Sequence, residues 1–469
     1  MDHTFEAVER SAWAARVATE LGVDDADAEL ARRTPSGLAV RPLYGAADAA
    51  ARPLPEVLRP KKGWRATESI EIEGDDFAMR AASASREGIG CVRALGDPVA
   101  VDGTVQARLL DAFAKQQGGR RPWLVLRPTA AGPSAYVGHV DPQLLLVFGG
   151  YDPLRAVLAD AAGPFDPAAT AREECASIER FATVGTNTPA LEVDTAYLRE
   201  AGASAVDAIG LGLAAAAERL RGAVAAGARP KAWFKSCAWR VGVGRDLFEE
   251  IAALRALRLC VGKLSVAASG GDAGPSCPVV HAMGLARELA PVDRPSNALR
   301  TSSQAFAAAV GGATTLELAP FEEGSERGRR LARTTHAVLA HESHLDRVDD
   351  PAGGSWYVEA LTDGVARAAW ERFRAIEAAG GFAAWVASGA LTALLDERRA
   401  ALAAALADGT HTIVGVTAYA PADDDEPAPA PRSEAERAGA VPATGDTGGW
   451  PRVEPCIDAL LGAGEVEAR

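Results

Sequence analysis

From about residue 65 to residue 400, short apolar runs of β-like composition alternate with longer Ala- and Leu-rich runs whose apolar residues recur at helical spacing. The strand-like runs begin at Trp123 (WLVLRP), Leu144 (LLLVFGG), Ala190 (ALEVDT), Ala238 (AWRVGVG), Pro278 (PVVHAMG) and Thr314 (TTLELAP). Helical spacing predicts helices over residues 201–226, 246–259, 303–310, 326–342 and 362–379. Strands separated by helices imply a parallel sheet, because a parallel crossover needs a dozen or more residues, usually helical. The pattern alone is compatible with a (β/α)8 barrel and with a doubly wound α/β sheet, and the length favours the barrel.

Ahead of this region, Phe5, Val8, Trp13, Val17 and Leu21 are helix-spaced, so residues 5–33 read as helical. Thr34-Pro35-Ser36-Gly37 then supplies turn chemistry before an extended stretch at 38–44. Behind it, residues 420–449 are rich in Pro, Ala and acidic residues and bury too little apolar surface to offset their ordering entropy. Residues 455–467 suffice for one short helix and no further domain. The expected organisation is an N-terminal helical arm at 1–64, a barrel at 65–420 and a largely disordered C-terminal tail at 421–469.

With 48% hydrophobic and 24% charged residues, the 469-residue chain has the composition of a soluble globular protein. A formal net charge of −14 repels nucleic acid and anionic membrane, so neither is an expected partner. Trp233, Trp239, Trp356 and Trp370 do not cluster in a basic field, which argues against base stacking. No apolar run approaches the ~18 residues of a membrane span, and the start has no basic-then-apolar leader, so a cytoplasmic address is expected. The six cysteines are widely spaced and read as reduced thiols, Cys237 and Cys260 as core; no metal site is expected. The basic cluster at 327–333, beside Glu322, Glu323 and Glu326, reads as a solvated helix face. Arg255 and Arg258, three apart on one helix face, are expected to pair with Glu249 or Glu250.

The chain has no dinucleotide fingerprint, phosphate-binding loop, nucleophile elbow or H-E-x-x-H. By itself the run 349–359 (DDPAGGSWYVE) reads as a Gly-rich loop entering a short strand, with positive φ at Gly353 or Gly354. The order of several segments says more. Residues 297–323 (NALRTSSQAFAAAVGGATTLELAPFEE), then 331–362 (LARTTHAVLAHESHLDRVDDPAGGSWYVEALT), then a helix ending in IEAAGGF, are similar to the methylmalonyl-CoA mutase family. Residues 200–221 and 245–258 match it in the same order, and the resemblance covers about residues 35–420. It implies a TIM barrel whose bore admits the pantetheine arm of a coenzyme A thioester.

Catalytic members of that family continue into a cobalamin-binding domain in which D-x-H-x-x-G supplies the lower axial histidine. None of this chain's seven histidines lies two residues after an Asp, so the resemblance implies no cobalamin binding by that route. The Tyr-His pair of catalytic members falls at Ala196 and Tyr197, and their Arg and Ser fall at Ser236 and Ala238. Ser236 cannot replace a bidentate guanidinium. A Gln becomes Thr314, while a His expected to polarise the thioester carbonyl is retained as His281. His281 also reads as a satisfied, half-buried histidine at a strand end, and Met283 beside it as packing. The candidate substrate-binding residues are therefore His281, Tyr197 and Thr314, with no catalytic, cofactor-binding or metal-binding residue assigned.

Residues 30–48 (LARRTPSGLAVRPLYGAAD) and 144–163 (LLLVFGGYDPLRAVLADAAG) are similar to segments of the small subunit of the heterodimeric mutases. The resemblance thus implies a non-catalytic small subunit of an adenosylcobalamin-dependent isomerase, with the cofactor held by a catalytic large-subunit partner. The alternatives are a catalytic acyl-CoA mutase barrel using a separately encoded cobalamin-binding chain, and a non-catalytic acyl-CoA-binding homo-oligomer.

Overall fold

The computed structural model describes residues 8–48, 54–71, 76–95, 123–126, 146–148, 150–154, 166–183, 189–271, 274–290, 293–322 and 325–419. Eight strands, β1 (Arg65–Glu71), β2 (Cys91–Leu95), β3 (Trp123–Leu126), β4 (Leu146–Phe148), β5 (Leu191–Asp194), β6 (Cys237–Val243), β7 (Val279–Gly284) and β8 (Thr315–Glu317), form one sheet. Its order is β4-β3-β2-β1-β8-β7-β6-β5, and every neighbouring pair is parallel. The open edges meet just past β4: Tyr151 bridges Leu191 of β5 in parallel, and Glu192 N–H donates to the Tyr151 carbonyl at 2.9 Å. The sheet therefore closes into the α/β (β/α)8 barrel that the pattern favoured.

The six strand-like runs of the sequence all lie in this barrel. β1 and β2 were not foreseen, because RATESIE and CVRAL place charged and hydroxyl residues where an apolar run was sought. Glu68 of β1 faces outward to a helix, and Arg93 of β2 faces the bore.

The helices used below are α1 (Arg10–Leu21), α2 (Ala26–Leu30), α3 (Ala196–Glu200), α4 (Ala205–Ala225), α5 (Leu247–Ala268), α6 (Asn297–Val310), α7 (Glu326–Ala337), α8 (Trp356–Ala378) and α9 (Ala390–Ala407). α4 begins at a capping box: Ser204 Oγ accepts from Asp207 N–H, and the Asp207 carboxylate reaches back to Ser204 N–H. It is buried on nearly every side, between the barrel and α8. Two glycines permit this. A Cβ on Gly212 would lie 2.7 Å from Thr195 Cγ2 and 3.0 Å from the Trp239 ring, and one on Gly210 would lie 2.6 Å from Arg372 of α8. Two residues apart on a helix is about 200°, so one glycine faces the strands and the other faces the outer helix.

Several local expectations are corrected. The 349–359 loop enters α8, not a strand: Ser355 accepts from Val358 N–H, and Val358, Leu361, Thr362, Val365 and Ala369 form a buried helical stripe. Gly354 has φ +84°, as its turn requires. Helicity in 5–33 ends at α2, and Arg32–Arg33 pairs antiparallel with Ala39–Val40 around the Thr34–Gly37 turn; Phe5 lies outside the described residues. Arg255 pairs with Asp350 and Glu359, and Arg258 donates to the Leu254, Gly311 and Gly312 carbonyls, while Glu249 accepts from Ser36 N–H and Glu250 pairs with Arg199. Within the basic run 327–333, Arg333 is buried and bonded to Glu68 and Glu87. The 421–469 tail lies outside the described residues, and no described helix is long and apolar enough to cross a membrane.

Candidate functional site in the barrel bore

Residues alternate along each barrel strand between the helix layer and the bore. Leu191 and Val193 of β5 and Trp239 of β6 belong to the main apolar core. Glu192 and Asp194 of β5 and Arg240 of β6, which alternate with them, face inward and are charged. Arg93 of β2 makes a two-pronged ion pair with Glu192 of β5, Nη2 to Oε2 at 3.0 Å and Nη1 to Oε1 at 3.3 Å, with both side chains 2% exposed. β2 and β5 are three strands apart around an eight-strand ring, so this pair spans the bore. Arg240 of β6 binds Asp194 at 3.1 Å, donates to Met283 Sδ at 2.7 Å and lies 3.8 Å from Glu317 of β8. Cys91 and Val125, with Trp123 and Val279 against them, fill the space beside Arg93 with apolar atoms.

The electrostatics agree with the geometry. Burial opposes charge on Glu192, but the Arg93 guanidinium outweighs it and holds the carboxyl below its usual range. Burial pushes His281 down to about 4, so the imidazole is neutral at pH 7. Its Nδ1 lies 2.7 Å from Thr315 Oγ1. Burial also pushes the Cys91 thiol up to about 12. Among the described residues the bore thus holds two guanidiniums paired with three carboxylates, and a neutral imidazole bonded to Thr315.

Of the residues singled out in the sequence, His281 is in this bore, at the middle of β7 and buried rather than at a half-buried strand end. Thr314 is not beside it; its hydroxyl accepts from Val280 N–H at 3.1 Å, and the next residue, Thr315, is the one that turns to His281. Tyr197 lies in α3, just past β5, within the apolar core. Ala196 donates its N–H to Asp194, Ser236 ends the turn into β6, and Ala238 is buried in β6. Sequence reasoning missed Arg93, Glu192, Asp194, Arg240 and Glu317. The available signal was a charge every second residue within strands buried on both faces, as in LEVD.

Among the described residues, no group of three or more His, Cys, Asp or Glu side chains is placed to hold a metal ion. A cavity of about 630 Å³ opens beside the 349–356 loop, lined by Trp356 and by Lys61 and Asp349, which face each other at 3.5 Å.

A family model for methylmalonyl-CoA mutase matches residues 139–441, well over half of the chain. The chain belongs to the methylmalonyl-CoA mutase family. It is 34% identical over 378 residues to the probable methylmalonyl-CoA mutase small subunit of Mycobacterium tuberculosis, covering 75% of this chain and 60% of that protein. The methylmalonyl-CoA mutase small subunit of Streptomyces virginiae is 40% identical over 224 residues, 46% of this chain and 36% of that one. The methylmalonyl-CoA mutase of Escherichia coli is 30% identical over 234 residues, 49% of this chain and 33% of its own. The chain therefore spans about three fifths of the mycobacterial relative and about a third of the other two.

Proposed function

We propose that this chain is the non-catalytic small subunit of an adenosylcobalamin-dependent methylmalonyl-CoA mutase. A large-subunit partner holds the cofactor and interconverts methylmalonyl-CoA and succinyl-CoA. The observation that carries this reading is the Arg93–Glu192 pair across the bore, the bore being the route a pantetheine arm would take in a catalytic member. Breaking a buried ion pair costs about 3–5 kcal/mol, a penalty that acyl-CoA entry would incur.

His281 is bonded through Nδ1 to the Thr315 hydroxyl and not to a carboxylate, His336 accepts from Trp64 Nε1 at 3.1 Å, and His411 contacts Arg245. His341 and His344 lie on the exposed turn after α7. These described histidines do not fit a lower axial ligand backed by a carboxylate. Adenosylcobalamin is accordingly assigned to the partner chain. His281, Tyr197 and Thr314 are read as remnants of an ancestral substrate site.

The arm supports the partner assignment. α1 buries none of its residues, while Val8 and Leu21 are half or more exposed and Trp13 and Val17 are partly so. We assign residues 1–64 as the partner-wrapping arm, 65–420 as the barrel and 421–469 as a tail, in a cytoplasmic heterodimer.

Co-expression with a methylmalonyl-CoA mutase large subunit tests the reading. The expected result is a co-purifying heterodimer whose small chain, isolated, binds neither methylmalonyl-CoA nor succinyl-CoA in calorimetry. Turnover of any acyl-CoA by this chain with adenosylcobalamin and a separate cobalamin-binding protein would overturn it in favour of a catalytic barrel. Acyl-CoA binding without large-subunit capture would instead favour the homo-oligomer.

A further inference from the structure

We propose that residues 408–419 form a proton-sensitive strap on the C-terminal rim of the barrel, latched while His411 is neutral and released when it takes up a proton. The strap carries the chain from α9 across the ends of β6 and β7. Its own turn is compact: Val416 and Thr417 donate to the Ile413 carbonyl, and Gly415 N–H donates to Ala418 at 2.7 Å. Three contacts fix it to the rim. Arg300, in the first turn of α6, donates through Nη2 to the Val414 carbonyl at 2.5 Å. Gly415, at φ +81°, seats its backbone on Asp293 so closely that a Cβ would lie 2.4 Å from the carboxylate. Arg245, just past β6, reaches His411 Nε2 with Nη2 at 2.8 Å.

The third contact sets the chemistry. A guanidinium only donates, so His411 Nε2 must accept, which requires a neutral ring. The backbone N–H of His411 is bound to Ala405 at 2.8 Å, which limits how far the ring can retreat. Among the described residues, Arg245 from the β6 loop and Glu288 from the turn after β7 act on the ring, while Arg300 and Asp293, at and just before the start of α6, meet the strap at Val414 and Gly415. Arg245 is already paired with Glu288 at 3.1 Å, and Arg300 is met by the Asn297 and Val414 oxygens. On its own segment, Asp408 is occupied by Thr410. Among the described residues the nearby carboxylates already have partners, Glu288 in Arg245 and Asp293 in the Ser296 hydroxyl, so protonation removes the acceptor and sets a further cation beside Arg245.

Burial, and then Arg245, hold His411 below the ordinary imidazole range, in keeping with this geometry. The sign follows: the latched form binds fewer protons than the released form, so the latch is full above about pH 6.5 and weakens as pH falls. With a released histidine titrating near 6.5, the opening constant rises by up to about tenfold at pH 5.5.

Hydrogen exchange of the full chain at pH 7.5 and 5.5, corrected for intrinsic rates, tests this without reference to any partner. Protection of the 408–419 amides should fall by up to about tenfold while α5 stays unchanged, and His411→Gln, which keeps an acceptor but cannot titrate, should flatten the response. Should α5 lose protection in that variant, His411→Asn serves in its place. Equal strap protection at the two pH values, or the same fall in the non-titrating variant, overturns the proposal.

Discussion

Along β5 and β6, neighbouring residues enter two environments a single side chain apart. Leu191, Val193 and Trp239 pack outward under α4, while Glu192, Asp194 and Arg240 converge on the bore. The outward layer is close-packed and apolar, with glycines at the tightest approaches; it makes the barrel. The inward layer is held by charge, so its stability depends on every partner being present. A barrel can thus keep its shell and change its interior, because the two layers are written on alternate positions of the same strands.

The largest test of that contrast removes one member of the spanning pair. Arg93→Met should leave Glu192 buried and unpaired and cost about 3–5 kcal/mol in urea unfolding, whereas Arg93→Met with Glu192→Leu should return close to the parent stability. A double variant as unstable as the single one would show that the pair is not an isolated unit. In the shell, Gly212→Ala should cost about 1–3 kcal/mol by overpacking against Thr195 and Trp239. Gly222→Ala, whose Cβ would lie an ordinary 3.5 Å from Ala171, should be neutral or stabilising by up to about 1 kcal/mol. Equal effects at the two glycines would remove close packing as the reason for Gly212.

Acid should separate the layers further. Burial holds His281 in the bore and His336 outside it at about 4. Their folded values lie below the unfolded one, so stability is complete above about pH 6.5 and declines as pH falls towards 4, with up to about two protons taken up on unfolding. His281→Gln and His336→Gln should each remove one of them, read from the pH dependence of the urea midpoint. The smallest effect concerns thiols. Cys277 is exposed and should react with a disulfide reagent in the folded state, while Cys91 and Cys260, pushed up to about 12 by burial, should react only as the barrel unfolds.

The shell was legible in the sequence because its signal is local. Six of eight strands announce themselves as apolar runs, and α4 and α5 as Ala- and Leu-rich helices. β1 and β2 were illegible for the reason that makes the bore interesting: Arg93, Thr67 and Glu68 obscure the apolar pattern, and what satisfies two of them lies far away, Glu192 for Arg93 and Arg333 for Glu68. No local period encodes a partner 99 residues away. His281 was legible as a residue of interest, but its neighbour was not, since whether Thr314 or Thr315 turns inward depends on the register of β8 against β7. The start of α8 was obscured by the Asp- and Gly-rich run before it, although Ser355 ahead of a helix-spaced stripe was an available cap signal.

The Arg93–Glu192 pair has a mechanical consequence as well. The seam that closes the ring, between β4 and β5, rests on the short bridge of Tyr151 to Leu191, and Glu192 is the next residue. A tie from that residue to β2, three strands beyond the seam, acts as an internal strut, loading that wall of the cylinder whenever the seam begins to part. Such a barrel resists opening in the way a braced hoop does, with its stiffness set across the interior as well as around the rim.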